Sequence, residues 1–412
     1  MRPLKYIYAE MLLSRGLAIL GSFGVAILTA RLLGPADRGR YYYVITLAAL
    51  AVQFASFGIH ASNSYLIART PALLPQVMAN TAWLAILGGI AAAAGALAFD
   101  FAIGGFARDL VFVAVVLTLA PSLLLFLYLS NLVVALNRPR TFNGLIIFGG
   151  LASIAMALLS TYPSPTLNGF LFAAVAASIV ACILAWIVLA NGIGVPWTFD
   201  YSLFYAGIAF ALRAHIATLL GFLMARMGVV VIREFGDFGD LGYWSIAAQI
   251  ADALLILPGT ISLLLFPSLV RAEGEMRWKE YKTTLLRLSS VMAALCFASS
   301  IVAHLFIETI FGMVYVPAVA IVLALLPGIF FLGVASVASQ FLSASGLPWS
   351  QVVAWICGSL LQAGLSLALY GRFGIVGLAW IQSGCAALVC IWLLVNSLKF
   401  ATRTMALDRA NP

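Results

Sequence analysis

The chain has 412 residues, 64% hydrophobic and 9% charged, with a formal net charge of +8. A soluble domain needs roughly 25% charged residues to cover its surface, so a water-soluble fold is excluded and the chain reads as an all-α polytopic membrane protein. The spans must be helices, because lipid offers the backbone no hydrogen bonds and the apolar runs are about twice as long as the strands of a membrane β-barrel.

The first apolar run is followed by Thr29-Ala30-Arg31-Leu32 and not by a small-residue cleavage site, so it is expected to stay as a span. Windows of about twenty apolar residues predict twelve spans, at 9–30, 41–62, 78–99, 110–136, 141–161, 168–190, 209–232, 243–268, 286–307, 316–343, 350–370 and 374–397. Segment 191–208, carrying Gly192, Gly194 and Pro196, breaks the pattern. It divides the chain into an N-lobe over 1–198 and a C-lobe over 199–412, with six transmembrane helices in each. The polar stretch 271–286 is expected to be a solvated connector, with an amphipathic surface helix as the other reading.

The halves echo each other. Arg31-Leu-Leu-Gly34-Pro-Ala-Asp37-Arg-Gly39-Arg-Tyr41 returns as Arg233-Glu-Phe-Gly236-Asp-Phe-Gly-Asp240-Leu-Gly242-Tyr243. Arg69 then answers Arg271, Pro121 answers Pro327, Pro139 answers Pro348 and Gly169 answers Gly377. Such internal repeats in an apolar chain mark secondary transporters.

Basic residues set the orientation. Arg2, Lys5, Arg69, Arg138, Arg140, the cluster from Arg271 to Arg287, Lys399, Arg403 and Arg409 fall on one side. Only Arg31, Arg38, Arg40, Arg108, Arg233 and Arg372 fall on the other. The positive-inside rule makes the first side, with both termini, cytoplasmic. This placement accounts for the net charge without a nucleic-acid partner. The five cysteines lie in apolar runs without a CxxC pair and read as core packers.

Enzyme signatures such as HExxH, GxSxG and GxGxxG are missing, and the three histidines are far apart in sequence. No catalytic residue, cofactor or metal site is expected. Polarity inside the spans is ordered instead. Thr46, Gln53 and His60 repeat at seven, with Ser56 and Asn63 three residues on, which puts all five on one face of a continuous helix. Arg15, Ser22 and Thr29 form a stripe on the first span, His215, Arg226 and Arg233 on the seventh, and Ser245, Gln249 and Asp252 on the eighth. These stripes would face one shared, water-filled cavity. A charge in mid-membrane costs at least about 2.5–3.5 kcal/mol and commonly marks a pathway. Arg226 and Asp252 therefore stand out, either as a binding pair or as a plain ion pair between helices. His304 and Glu308 form an i, i+4 pair at the outer end of the ninth span, read as interfacial or as proton-coupling.

The phrase Leu32-Leu-Gly-Pro-Ala-Asp-Arg-Gly39-Arg-Tyr41 after a first span resembles the opening of Wzx-like polysaccharide-biosynthesis flippases, a branch of the multidrug/oligosaccharidyl-lipid/polysaccharide exporter superfamily. Leu241-Gly-Tyr-Trp-Ser-Ile-Ala, Leu257-Pro-Gly-Thr, Phe266-Pro-Ser-Leu-Val-Arg271 and Phe373-Gly-Ile-Val-Gly377-Leu-Ala agree with it. The resemblance implies two six-helix lobes around a central cavity faced by spans one, two, seven and eight. It also implies export of a polyprenyl-diphosphate-linked oligosaccharide to the outer leaflet of the inner membrane, among membrane lipids, with the coupling ion left open. Arg15, Arg226 and Arg213 would meet the diphosphate, and Gln53, Asn63 and Gln249 the sugars, with His60, His215 and Asp252 completing the substrate-facing set. The drug/cation antiporter branch often uses a membrane carboxylate in its first lobe. Here that lobe offers only Glu10. The rival readings are an ion-coupled exporter of small amphipathic compounds and a membrane-embedded glycosyl-transferring enzyme.

Overall fold

The computed structural model describes residues 4–104, 109–272, 274–346 and 349–410. Within these, the side chains of 4–13, 15, 206–207, 209–210, 212–214, 217, 263–264, 267 and 403–410 lie outside the description. The described chain is built from helices, α1 (Leu4–Ala55), α2 (Ile59–Arg69), α3 (Leu74–Trp83), α4 (Gly89–Ala102), α5 (Leu110–Ala135), α6 (Pro139–Leu159), α7 (Leu167–Ala190), α8 (Tyr201–Phe235), α9 (Phe238–Arg271), α10 (Gly274–Phe311), α11 (Ala318–Ala344) and α12 (Trp349–Ala410).

Two of these are too long for one crossing. With 52 and 62 residues, α1 and α12 would run roughly 78 and 93 Å at 1.5 Å per residue, against a hydrocarbon core of about 30 Å. Each is broken where a glycine leaves helical angles, Gly34 at φ 73° in α1 and Gly374 at φ 59° in α12. Only glycine takes such angles without a steric cost, so each helix becomes two passes. Nine stretches among the described residues are long and apolar enough to span a membrane. Two of these are the doubled helices, and α8 completes a set of twelve passes. The expected loop 31–40 is thus helix on both sides of Gly34, and its repeat partner Gly236 sits in the short turn between α8 and α9.

The chain divides into two compact units, Met1–Leu219 and Leu220–Pro412, with the division inside α8. In the first unit the linker after α7 is tied down. Asn80 exchanges hydrogen bonds with the backbone N–H and C=O of Asp200 (2.7 and 2.8 Å), and Trp83 Nε1 donates to the Trp197 carbonyl at 2.9 Å. Asp200 caps α8 by accepting from the Ser202 hydroxyl and the Ser202 and Leu203 amides. The Ser202 hydroxyl first, then the Leu203 amide, hold its carboxyl below the usual carboxylate range. This cap is complete at neutral pH and is lost only as pH falls through that lowered value.

The repeat extends into packing. In the first unit Ala18, Gly21 and Gly150 let the first pass and α6 approach so closely that a Cβ on Gly21 would lie 2.7 Å from the Gly150 carbonyl oxygen. In the second, α8 packs on the first half of α12, where Gln362 Nε2 donates to the Met224 carbonyl at 3.0 Å. Both prolines of the repeat meet a serine on the sixth helix of their half. Ser178 of α7 bonds Ser122, beside Pro121, at 2.7 Å. Ser383 of α12 accepts from the Gly328 amide (3.0 Å) and donates to the Ala324 carbonyl (2.6 Å), filling the gap that Pro327 opens in α11.

The stretch 271–286 is a correction. It is neither a connector nor a separate surface helix, because from Gly274 onward it is the first part of α10. Tyr281 is buried and stacks on Phe341 of α11 at 4.4 Å, and Trp278 packs edge-on to Phe341 at 5.8 Å.

Candidate functional site

The second pass is discontinuous. After Ala55 the chain turns through Phe57 (φ 41°) and Gly58 (φ 70°) before α2 begins. The expectation that Thr46, Gln53, Ser56, His60 and Asn63 share one helical face therefore fails, because the face ends at the break. Thr46 and Ser56 are buried, whereas Gln53, His60 and Asn63 are half-buried. The freed backbone groups find partners locally. The Tyr128 hydroxyl of α5 donates to the Ala55 and Ser56 carbonyls (3.4 and 3.2 Å), and Ser56 Oγ donates to the Gln53 carbonyl at 3.1 Å.

The first part of α8 closes over this break. A Cβ on Gly58 would lie 2.4 Å from the Ala211 carbonyl oxygen and 3.2 Å from His215 Cβ, so the approach requires glycine. His215 is buried, with Nδ1 3.5 Å from Ser56 Oγ and its ring 6.3 Å from that of Phe57. His60 Nδ1 and His215 Nε2 are both buried without a hydrogen-bond partner. Asn63 instead donates to Thr81 Oγ1 at 3.0 Å. Of the residues named from the sequence, Gln53, His60 and His215 are thus brought to the break, and Asn63 lies just beyond it on α2.

In the second unit Arg226 of α8 meets Asp252 of α9, Nη2 to Oδ2 at 2.8 Å. The pair is unevenly covered, the arginine side chain 18% and the carboxylate 48% exposed. Arg226 also lies over the Phe222 ring at 5.6 Å. Gln249, half-buried, is one turn earlier on α9. The serines and threonines of the stripes bond back to their own helices, with Thr29 and Ser245 buried and Ser22 exposed. Thr29 bonds the Val25 carbonyl (2.7 Å) and Ser245 the Gly242 carbonyl (2.7 Å). The side chains of Arg15, Arg213 and Glu10 lie outside the described residues.

The burial of two charged residues escaped the sequence reading. Asp100, at the end of α4, is fully buried and accepts from the Tyr43 hydroxyl at 2.6 Å. The first half therefore holds a buried carboxylate besides Glu10. Arg38, read as a loop cation, is 2% exposed and donates to Thr29 Oγ1. Both sit at the polar ends of apolar runs, where hydropathy cannot tell a surface charge from a buried one. A cavity of about 330 Å³ inside the first unit, bounded by Ala18, Tyr41, Phe126, Gly149 and Phe170, is almost wholly apolar. It is lined by none of the residues named from the sequence as substrate-binding.

A family model described as "Polysaccharide biosynthesis protein" matches residues 28–320. No curated protein sequence matches. Among solved structures, the lipid II flippase MurJ in an inward closed conformation is similar with a TM-score of 0.70 at 16% identity, over 97% of this chain and 90% of that one. An inward-facing multidrug resistance MATE family transporter of the MOP superfamily gives 0.71 at 14% identity, over 96% of each chain. A MOP superfamily transporter from Pyrococcus furiosus, whose binding pocket is described as reversed in polarity, gives 0.66 at 14% identity, over 98% and 95%. The fold is that of this exporter superfamily.

Proposed function

The chain belongs to the polysaccharide biosynthesis protein family, and from that premise we propose that it is a flippase for a polyprenyl-diphosphate-linked oligosaccharide. It moves this substrate from the inner to the outer leaflet of the inner membrane by alternating access between two six-helix lobes, 1–198 and 199–412. Both termini are cytoplasmic, and the protein transports without chemical conversion.

The observation that carries the reading is the Arg226–Asp252 pair. A guanidinium amid apolar spans, held by a half-exposed carboxylate, is a cation whose partner can be exchanged. A diphosphate offers more acceptor oxygens than one carboxylate and suits the planar fork of arginine. Asp252 keeps the arginine neutralised while the site is empty. Arg15 supplies a second cation, and Gln53, His60, Asn63, His215 and Gln249 offer polar groups to the sugars. The lipid tail stays among the membrane lipids.

The buried Asp100 favours a second reading, an ion-coupled exporter of small amphipathic cations, because a first-lobe carboxylate is what such an exporter would use. Reconstituted vesicles separate the two. Labelled polyprenyl-diphosphate oligosaccharide should become accessible to an external glycosidase faster than in protein-free vesicles, and Arg15→Glu or Arg226→Glu should slow it by repulsion. No acceleration, alongside robust efflux of a cationic dye, would give the second reading the better case.

A further inference from the structure

We infer that the two passes of α12 hold a site for one anionic glycerophospholipid, with an acyl chain in the groove between them and the phosphate at Lys399. The site is independent of the transport reading and rests on the residues of the groove.

The groove follows from side-chain size. On the pass before Gly374, Ala354, Cys357 and Gly358 present little bulk, whereas Leu388, Ile391 and Val395 stand exposed on the pass after it. The passes meet at the floor, where a Cβ on Gly358 would lie 2.2 Å from Val389 Cγ2. Small residues let membrane helices approach closely, and the larger neighbours then form the walls. The result is an open recess of about 510 Å³ with an almost wholly apolar lining, a volume within the range of ligand pockets.

Three features identify the occupant. The first is charge. Among the described residues that line the recess, Lys399 is the one charged side chain, and it lies exposed at the end nearest the C terminus. Asn396 lies there too, with its Nδ2 bonded back to the Trp392 carbonyl at 2.8 Å. One cation at one end of an apolar recess matches one phosphodiester at one end of an acyl chain. The second is depth. Trp392 Nε1 donates to the Ser350 carbonyl at 3.1 Å, which sets the two passes level at this end, and indole rings collect at the bilayer–water boundary. From Ser350 to Leu361, the deepest lining residue of that pass, the helix runs roughly 16 Å at 1.5 Å per residue. That is about half of the roughly 30 Å hydrocarbon core, the depth of one leaflet and of one fatty acyl chain. A polyprenyl chain is far longer. The third is height. Lys399 lies about two turns beyond Trp392, roughly 10 Å, and the flexible stem of a lysine carries its charge to the phosphate layer.

Cys357 is exposed in the recess, whereas Cys182, Cys385 and Cys390 are buried, so its reactivity reports on occupancy. The full-length protein in detergent is titrated with phosphatidylglycerol or with phosphatidylethanolamine of the same acyl chains. Reaction of Cys357 with an uncharged maleimide is followed by peptide mass spectrometry. Both lipids should protect the thiol, phosphatidylglycerol at about five-fold lower concentration, the ratio that one lysine near an anionic headgroup supplies. Lys399→Gln should bring that ratio to one, while Lys282→Gln, at an exposed lysine of α10, should leave it unchanged. Native mass spectrometry counts the lipids that stay bound, and Cys357→Phe, which fills the recess, should lose one phosphatidylglycerol. Equal protection by the two lipids, or a preference that survives Lys399→Gln, overturns the proposal. So does stronger protection by a polyprenyl phosphate, which would make the recess a seat for that chain. Protection that appears with protein concentration alone also overturns it, because the recess would then be a contact between copies.

Discussion

At the offset of about 202 residues that carries Gly34 onto Gly236 and Arg69 onto Arg271, the break at residues 56–58 falls on Pro258–Thr260. The first unit interrupts its helix there, whereas α9 runs on from Phe238 to Arg271. The two halves solve the same backbone problem differently. In the first, Tyr128 and Ser56 take up the carbonyls freed by the break. In the second, Pro258 removes one amide but the helix persists, with Thr260 Oγ1 bonded back to the Ile256 carbonyl at 2.8 Å and Ser262 to Ser336 at 3.0 Å. The chemistry diverges with the backbone. Two histidines lie where the helix is broken, and an ion pair sits where it is intact. A duplicated frame can therefore keep its packing while each copy acquires its own polar centre.

Changing the ion pair should have the largest effect. Arg226→Ala should reduce export by more than about 30-fold, since truncating one member of a charge pair commonly costs at least ~2 kcal/mol, while the protein still inserts. Asp252→Asn should impair less, because the amide keeps a hydrogen-bonding partner. Substrate translocation and membrane yield, measured together, separate the effects. Recovery of transport in the double neutral variant would reduce the pair to a structural one, since removing both charges leaves no orphan.

Next comes the break itself. Gly58→Ala places a methyl group against the Ala211 carbonyl at a positive φ, and overpacking of this kind costs about 1–3 kcal/mol. Thr260→Ala, at the matching place in the second unit, loses a bond within its own helix and adds no clash. Thermal denaturation in detergent should show a clear fall for the first and a small one for the second. Equal shifts would erase the contrast between the units.

A smaller difference should separate the two proline contacts. Ser383→Ala deprives both the Gly328 amide and the Ala324 carbonyl, with an expected loss of about 1–2 kcal/mol. Ser178→Ala removes one bond to Ser122, which keeps its bond to the Leu119 carbonyl at 2.9 Å, and should cost about 0.6 kcal/mol. Chemical denaturation of both variants should rank them in that order.

Labelling should leave stability unchanged while testing orientation. In a background free of native cysteines, Asp37→Cys should react with an impermeant reagent in intact cells and Lys279→Cys should not. Reaction at the second position would invert the topology.

Hydropathy alone made the twelve passes and the linker legible, because insertion into lipid is a sum over about twenty consecutive residues and every term is local. The repeat was readable for a similar reason. Gly34, Gly236, Pro121 and Pro327 do backbone work that other residue types do badly, so they stand out at a fixed spacing. Arg226 and Asp252 were legible as a pair because their charges have no other reason to lie in apolar spans. What helical spacing could not reveal was where a helix stops being one. Phe57 and Gly58 broke the stripe that ran from Thr46 to Asn63, and the tertiary structure gathered Gln53, His60 and His215 by docking α8 onto that break. The burial of Asp100 under Tyr43, the docking of Tyr281 on Phe341 and the bridge from Ser383 to α11 share this dependence. In each, the partner lies tens of residues away, and a polar group's environment is set by the helix that arrives beside it.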